Sequence, residues 1–190
     1  MAYKFDPAKC AKLESPERLA LLPVEKVIAL IDVTLGERVL DIGCGPGVFA
    51  VPLAEAVWRS GYVFAADLQP EMVEACERRV QAHGLANVAV GRSEENSIPL
   101  PPASVDLVFA SHLLHELEDP RAFLSEVRRV LRPTGRLAAV EWEKVETGIG
   151  PPVERRLTPE QCRALLEANG FTVTDFRSIT WANYLLIARP

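Results

Sequence analysis

The chain has 190 residues, 48% of them hydrophobic, and a formal net charge of −5. That length and apolar content suit one domain with a sizeable core and argue against disorder. The acidic balance argues against a nucleic-acid binder, and the scattered cysteines Cys10, Cys44, Cys76 and Cys162 make a disulfide framework or a metal site unexpected. No apolar run is long enough for a membrane span, the N-terminus has no signal-like core, and a cytoplasmic location is expected.

In chain order, residues 1–15 read as an irregular arm carrying Tyr3 and Phe5, and PERLALLPVEKVIALIDV reads as one or two short helices. Residues 1–35 are expected to pack on a domain spanning 36–190, the whole forming a single domain. Apolar runs at 38–43, 62–67, 87–92, 105–111 and 136–142 then alternate with helical patterns at 48–59, 70–83 and 120–131. Near-continuous apolar strands alternating with helices indicate a parallel sheet covered on both faces. A helix at 158–170 opens with Thr158 and Pro159 and stops at Gly170. Two strand-like runs, FTVTDFRSIT and ANYLLIAR, follow almost without a gap, so they must be antiparallel. The expected fold is a doubly wound, Rossmann-like α/β sheet of five parallel strands plus a C-terminal antiparallel hairpin, with helices on both faces.

VLDIGCGPGVFAVPLAEA places Gly43, Gly45 and Gly47 between the first strand and a helix. Such a turn lets a ligand approach the backbone and faces it with free helix N–H groups. Asp41 precedes the turn, where it can orient the loop or meet an ammonium group. Asp67 ends the second strand, where an acid can grip ribose hydroxyls. The spacing Asp-x-Gly-x-Gly-x-Gly differs from the dinucleotide fingerprint GxGxxG, whose third glycine would fall at Val48.

With these residues the sequence resembles the class I S-adenosylmethionine-dependent methyltransferases. VLDIGCGPG resembles the family's cofactor motif, and AADLQPEMVEACERR its second motif. The stretch IPLPPASVDLVFASHLLHELEDPRAFLSEVRRVLRPTGRLAAVEW is similar to the small-molecule branch of ubiquinone- and menaquinone-biosynthesis-type enzymes. The resemblance implies the strand order 3-2-1-4-5-7-6. It implies S-adenosylmethionine as cofactor, S-adenosylhomocysteine as product and a small-molecule acceptor. The cofactor-binding residues it points to are Asp41, Gly43, Cys44, Gly45, Gly47, Asp67, Leu68, Met72, Ser93, Glu94 and Ser111. The family's acid after the third strand is displaced here, so adenine is read either by Glu94 or by backbone near Ser93, with Arg92 alternatively pairing with a surface acid.

Methyl transfer from a sulfonium releases a neutral leaving group, so positioning dominates, and a base is needed only for an acceptor that must lose a proton. SHLLHELED follows the fourth strand, and it makes His112 and His115 the catalytic candidates, sharing a face if the segment is helical. Trp142 at the end of the fifth strand is either a pocket wall or core, and the Gly/Pro-rich loop 146–156 is placed to border the acceptor. The arm is either a loose end or a lid. The arginine pairs and clusters at 78–79, 128–132 and 155–156 are read mainly as solvated surface. A protein or nucleic-acid methyltransferase, a non-catalytic cofactor-binding protein and a nicotinamide oxidoreductase stay as alternatives. The acceptor and the oligomeric state are not legible in the residues.

Overall fold

The computed structural model describes residues 5–190. Seven strands form one sheet in the order β3-β2-β1-β4-β5-β7-β6. They are β1 (Arg38–Ile42), β2 (Tyr62–Asp67), β3 (Val88–Arg92), β4 (Val105–Ser111), β5 (Leu131–Trp142), β6 (Thr172–Thr180) and β7 (Asn183–Arg189). β1 to β5 pair in parallel, and β7 runs antiparallel to both of its neighbours. The sheet therefore matches the expected parallel set with a terminal hairpin, whose turn is Trp181–Ala182.

Among the described residues, six α-helices cover the sheet: α1 (Pro16–Leu21), α2 (Val24–Leu30), α3 (Ala50–Val57), α4 (Pro70–Ala82), α5 (Pro120–Val130) and α6 (Pro159–Ala168). Their starts follow from local chemistry. Ser15 and Asp119 accept the amides of Arg18 and Ala122, and Thr158 forms a capping box with Gln161. Proline opens α1, α4, α5 and α6, where its missing N–H costs nothing.

The pleat sorts side chains to two cores. Leu40, Ile42, Val108, Ala110, Leu137 and Ala139 point to one face and pack with Phe123, Leu124 and Val127 of α5 and Leu166 of α6. The alternate residues Val39, Leu107, Phe109, Ala138 and Val140 point to the other, against Leu22, Val27 and Ile31 of the N-terminal segment and Phe49, Leu53 and Val57. The N-terminal helices thus complete a core layer.

Three local expectations shift. Residues Pro7–Glu14 form 3₁₀ turns where an irregular arm was expected. β5 starts at Leu131 because that residue pairs with Val105 across a register irregularity. The helix expected over 48–59 is shorter, ending before Trp58, which has φ +59°. Tyr3 lies outside the described residues.

Candidate active site

β1 lies between β2 and β4, where the strand order reverses, and a crevice opens there at the carboxyl ends of the strands. It is a cavity of about 610 Å³. The glycine turn, the ends of β2 and β4, and the segment after β3 form its walls, while Phe5 and Leu13 from the arm and Gly148–Pro151 close it from outside. Of the residues expected at the site, Asp41, Gly43, Cys44, Gly45, Asp67, Leu68, Met72, Ser93, Glu94, Ser111, His112 and His115 all line it.

Gly47 does not line it. Its φ is +82°, and a Cβ there would stand 2.9 Å from Cys76 Sγ of α4. Gly47 therefore lets the loop lie flat on α4, a packing role rather than contact with the cavity.

Asp67 fixes the glycine loop. Its Oδ2 accepts the Gly45 amide at 2.9 Å and its Oδ1 accepts the Gln69 amide at 2.9 Å. Each oxygen keeps a second lone pair for the cavity. Burial raises the Asp67 pKa, although these backbone bonds oppose the shift. Asp41 is 2% exposed, and its carboxyl is pushed up to about 8 by burial and by the charge of Asp67.

Three buried polar side-chain atoms have no hydrogen-bond partner among the described residues: Asp41 Oδ2, Ser111 Oγ and Gln69 Oε1. All three belong to residues that line this one cavity. Buried polar atoms are nearly always satisfied, so the site is built for a polar ligand. An orphaned carboxylate oxygen and an orphaned hydroxyl suit an ammonium group, and the free lone pairs of Asp67 suit a diol. The residues present thus fit the amino-acid and ribose parts of S-adenosylmethionine.

The two histidines do not share a face. Only Leu114–Glu116 forms a 3₁₀ turn, and His112 precedes it with φ +57°. His112 is held in a chain of bonds that sets its tautomer. The Leu21 carbonyl can only accept, so Asn183 Nδ2 donates to it at 3.0 Å. Asn183 Oδ1 then accepts from His112 Nε2–H at 2.6 Å, which leaves Nδ1 bare to accept from Arg18 NH2 at 3.2 Å. Burial and the Arg18 charge hold the His112 pKa well below the usual histidine range. The ring also stacks on Trp142, with centroids 4.4 Å apart.

His115 points to β5. Its Nδ1 lies 2.6 Å from Oε2 of the fully buried Glu141, whose Oε1 accepts the Leu114 amide at 2.8 Å. Burial acts to lower the His115 pKa, but the charge and hydrogen bond of Glu141 and the charge of Glu116 outweigh it, and the net shift is upward. Glu116 Oε2 in turn accepts the Phe5 amide, while Gln69 Nε2 donates to the Phe5 carbonyl. Glu14 and Arg79 form an ion pair between the arm and α4. The arm is thus fastened at both ends over the glycine loop, where Leu13 Cδ1 would lie 3.4 Å from a Cβ on Gly45.

Trp142 is both wall and core: it is 3% exposed and lines the cavity. His112 covers one contact surface of its ring, and the Arg156 guanidinium lies 5.0 Å from its centroid. Arg156 is 2% exposed and organises the loop over 143–151, donating to the carbonyls of Glu143, Val145, Ile149 and Pro151 and to Thr147 Oγ1. Its reading as solvated surface is therefore corrected. Arg129 is likewise not a free surface charge, since it pairs with Glu126 and donates to the carbonyls of Ile98 and Leu100. Arg92 donates to the Leu68 carbonyl rather than pairing with a surface acid. Sequence reasoning also missed Arg18, Gln69 and Asn183, whose side-chain contacts with His112, Phe5 and His112 respectively span 94, 64 and 71 residues and leave no spacing signal.

Residues 40–139 match the family model described as a methyltransferase domain. A solved S-adenosylmethionine-dependent methyltransferase from Aquifex aeolicus is 39% identical and superposes with a TM-score of 0.93 over 97% of this chain and 98% of that one. The chain belongs to the class I S-adenosylmethionine-dependent methyltransferases. Among curated relatives of this methyltransferase chain, a demethylmenaquinone methyltransferase of Geobacillus kaustophilus is 34% identical over 62% of this chain and 50% of its own length. Aklanonic acid methyltransferase DauC of Streptomyces sp. strain C5 is 32% identical over 75% of this chain and 64% of its own. The chain spans only 33% to 64% of the length of the first three curated relatives. No helix among the described residues is long and apolar enough to cross a membrane.

Proposed function

We propose that the chain transfers the methyl group of S-adenosylmethionine to a small, largely apolar acceptor. The observation that carries this reading is the two-sided cavity. One side presents the orphaned oxygens of Asp41 and Ser111 and the end of β2 with Asp67. The other presents Trp142, with the ring of His112 stacked on it, and Ile149. A volume of about 610 Å³ falls in the range of small-ligand sites. The named relatives that act on a demethylmenaquinone and on aklanonic acid point the same way.

When bound, the cofactor supplies an electrophilic methyl on a sulfonium. The chain's residues then bind and orient. Asp41 and Ser111 meet the ammonium, Asp67 accepts from the ribose hydroxyls, and Gly43, Cys44 and Gly45 allow close approach. Leu68 and Met72 flank the ribose and adenine, and the Ser93–Glu94 segment borders the adenine. Phe5 and Leu13 exclude water, which would compete as an acceptor. His112 serves as a wall of the acceptor side: its one bare nitrogen is spent on Arg18, so it has no lone pair for a substrate proton. This makes transfer by positioning the favoured mechanism.

Within the expected 1–35 segment, the described residues from Phe5 onward are read as a cap that completes the 36–190 domain. Four unpaired cysteines support reading the protein as cytoplasmic. The deciding experiment is calorimetry with S-adenosylmethionine and S-adenosylhomocysteine, followed by turnover to S-adenosylhomocysteine with a library of quinols, phenols and aromatic acids. Absence of cofactor binding overturns the reading. Binding without turnover on any acceptor favours a sensor.

A further inference from the structure

Two arginines of this chain are buried, and they differ in how their donors are used. Arg156 is 2% exposed and all five of its N–H groups find oxygens in the 143–151 loop. Arg18 is 9% exposed and lines the cavity, yet among the described residues its guanidinium makes only two bonds: NH1 to the Leu13 carbonyl at 2.9 Å and NH2 to His112 Nδ1 at 3.2 Å. No carboxylate among the described residues pairs with it. The imidazole beside it is neutral, and the cavity acid Glu116 and its neighbour Glu141 are engaged with His115 and the arm. Removing a cation from water is costly unless an anion or further acceptors replace the lost hydration. The guanidinium stays charged at neutral pH, because burial lowers its pKa only to about 10.

The missing partner belongs to the acceptor rather than to the cofactor. The cofactor's carboxylate has donors of its own, since the amides of Val48 and Phe49, at the entry to α3 and on the cavity wall, donate to no backbone acceptor among the described residues. Arg18 instead faces His112, whose ring lies on Trp142, on the side bordered by Ile149 and Gly150.

We infer that Arg18 is an anion subsite, and that the acceptor is an apolar or aromatic molecule carrying one acidic oxygen, a carboxylate or an ionised phenol or enol. This rests on the methyltransferase reading above.

The test uses the full chain saturated with S-adenosylhomocysteine and a matched pair of probes, 1-naphthoate and 1-naphthamide. Calorimetry of the wild type is expected to show naphthoate bound at least tenfold more tightly than the amide. Arg18→Gln is expected to weaken naphthoate by roughly 10- to 100-fold, leaving the amide and S-adenosylhomocysteine unchanged. Arg18→Lys is expected to keep part of the preference for the anion. Failure of the wild type to bind S-adenosylhomocysteine is instead a failure of the methyltransferase reading. With S-adenosylhomocysteine bound, equal binding of both probes, or of neither, overturns the subsite. A loss of S-adenosylhomocysteine affinity in Arg18→Gln with naphthoate unaffected also overturns it, and gives Arg18 to the cofactor's carboxylate. The wild-type comparison needs no variant, so it decides even if Arg18→Gln does not fold.

Discussion

Asp67 Oδ2 accepts the amide hydrogen of Gly45 at 2.9 Å, joining the end of β2 to the glycine turn across 22 residues of chain. One carboxylate thus shapes the loop and offers its remaining lone pairs to the ligand. Asp67→Ala removes both functions. A hydrogen bond to a charged group contributes roughly 1.5–3 kcal/mol, so S-adenosylhomocysteine affinity is expected to fall by about 10- to 100-fold. Calorimetry checks this, and a change below about threefold would reduce Asp67 to a strand-end residue.

Gly45 and Gly47 stand two residues apart and are expected to fail differently. Both have positive φ, at +53° and +82°, so any side chain brings backbone strain of roughly 1–3 kcal/mol. At Gly47 the new Cβ also meets Cys76 Sγ at 2.9 Å, and neither Gly47 nor Cys76 lines the cavity. Gly47→Ala is therefore expected to lower Tm while the folded fraction binds S-adenosylhomocysteine normally. Gly45→Val puts its branches on the cavity wall beneath Leu13, and binding is expected to be lost. The reverse pattern in thermal melts and calorimetry would overturn these roles.

The difference between those glycines also marks what the sequence makes legible. Short-range signals are read well: the Asp-x-Gly-x-Gly-x-Gly spacing, strand-end Asp67 and the near-gapless pair of final strands all describe geometry that the local chain dictates. The cavity assigns twelve of the thirteen expected residues to one place. Arg18, Asn183 and Gln69 carry no such signal, because each acts through a side-chain partner brought near only by the tertiary fold. His112 meets Arg18 across 94 residues and Asn183 across 71. Arg156 was hidden for another reason. Beside Arg155 it looks like a solvated pair, and only the closed 143–151 loop supplies the carbonyls that bury it.

Asp41 gives a pH dependence. Its folded pKa is raised from an ordinary carboxylate value to about 8 by burial and the Asp67 charge. Between about pH 4 and pH 8 the folded state binds more protons at this site than the unfolded state, so the site's contribution to stability falls as pH rises. Asp41→Asn is expected to stabilise the free protein at pH 8 and above, with the gain shrinking toward pH 4–5. Denaturant titrations at both ends check the sign. In the wild type, pairing with the ligand's ammonium requires the ionised form. Cofactor binding at pH 7 is therefore expected to release a proton, visible as a dependence of the calorimetric heat on buffer ionisation enthalpy. The release should vanish in Asp41→Asn.

Arg156 ties down the loop that borders the acceptor side. Arg156→Ala removes every bond from this side chain to the 143–151 backbone and uncovers one side of Trp142. Hydrogen exchange is expected to accelerate over residues 144–151 and to change little in β1 and β2. KM for the acceptor is expected to rise, while cofactor affinity holds. Uniform acceleration across the chain would show instead a general loss of stability.

His115 is expected to act as a charged strut. Burial alone would lower its pKa, but Glu141 at 2.6 Å, with Glu116 behind it, raises it above 6.5. A group raised in this way adds stability that is fully present below its unfolded pKa and is lost as pH rises through its folded pKa. His115→Gln, which keeps a donor for Glu141 but no charge, is therefore expected to cost more at pH 6 than at pH 9. The difference should be on the order of 1.4 kcal/mol for each unit of upward shift. Urea titrations at the two pH values measure it, and equal losses would mean that His115 pairs with Glu141 as a neutral imidazole. The kinetic consequence separates the two histidines. His112 is spent on Arg18 and Asn183, so His112→Ala should raise acceptor KM and leave the pH–rate profile without a lost limb. Loss of a base limb near neutral pH in His112→Ala, with KM unchanged, would restore the proton-accepting role that its two filled nitrogens argue against.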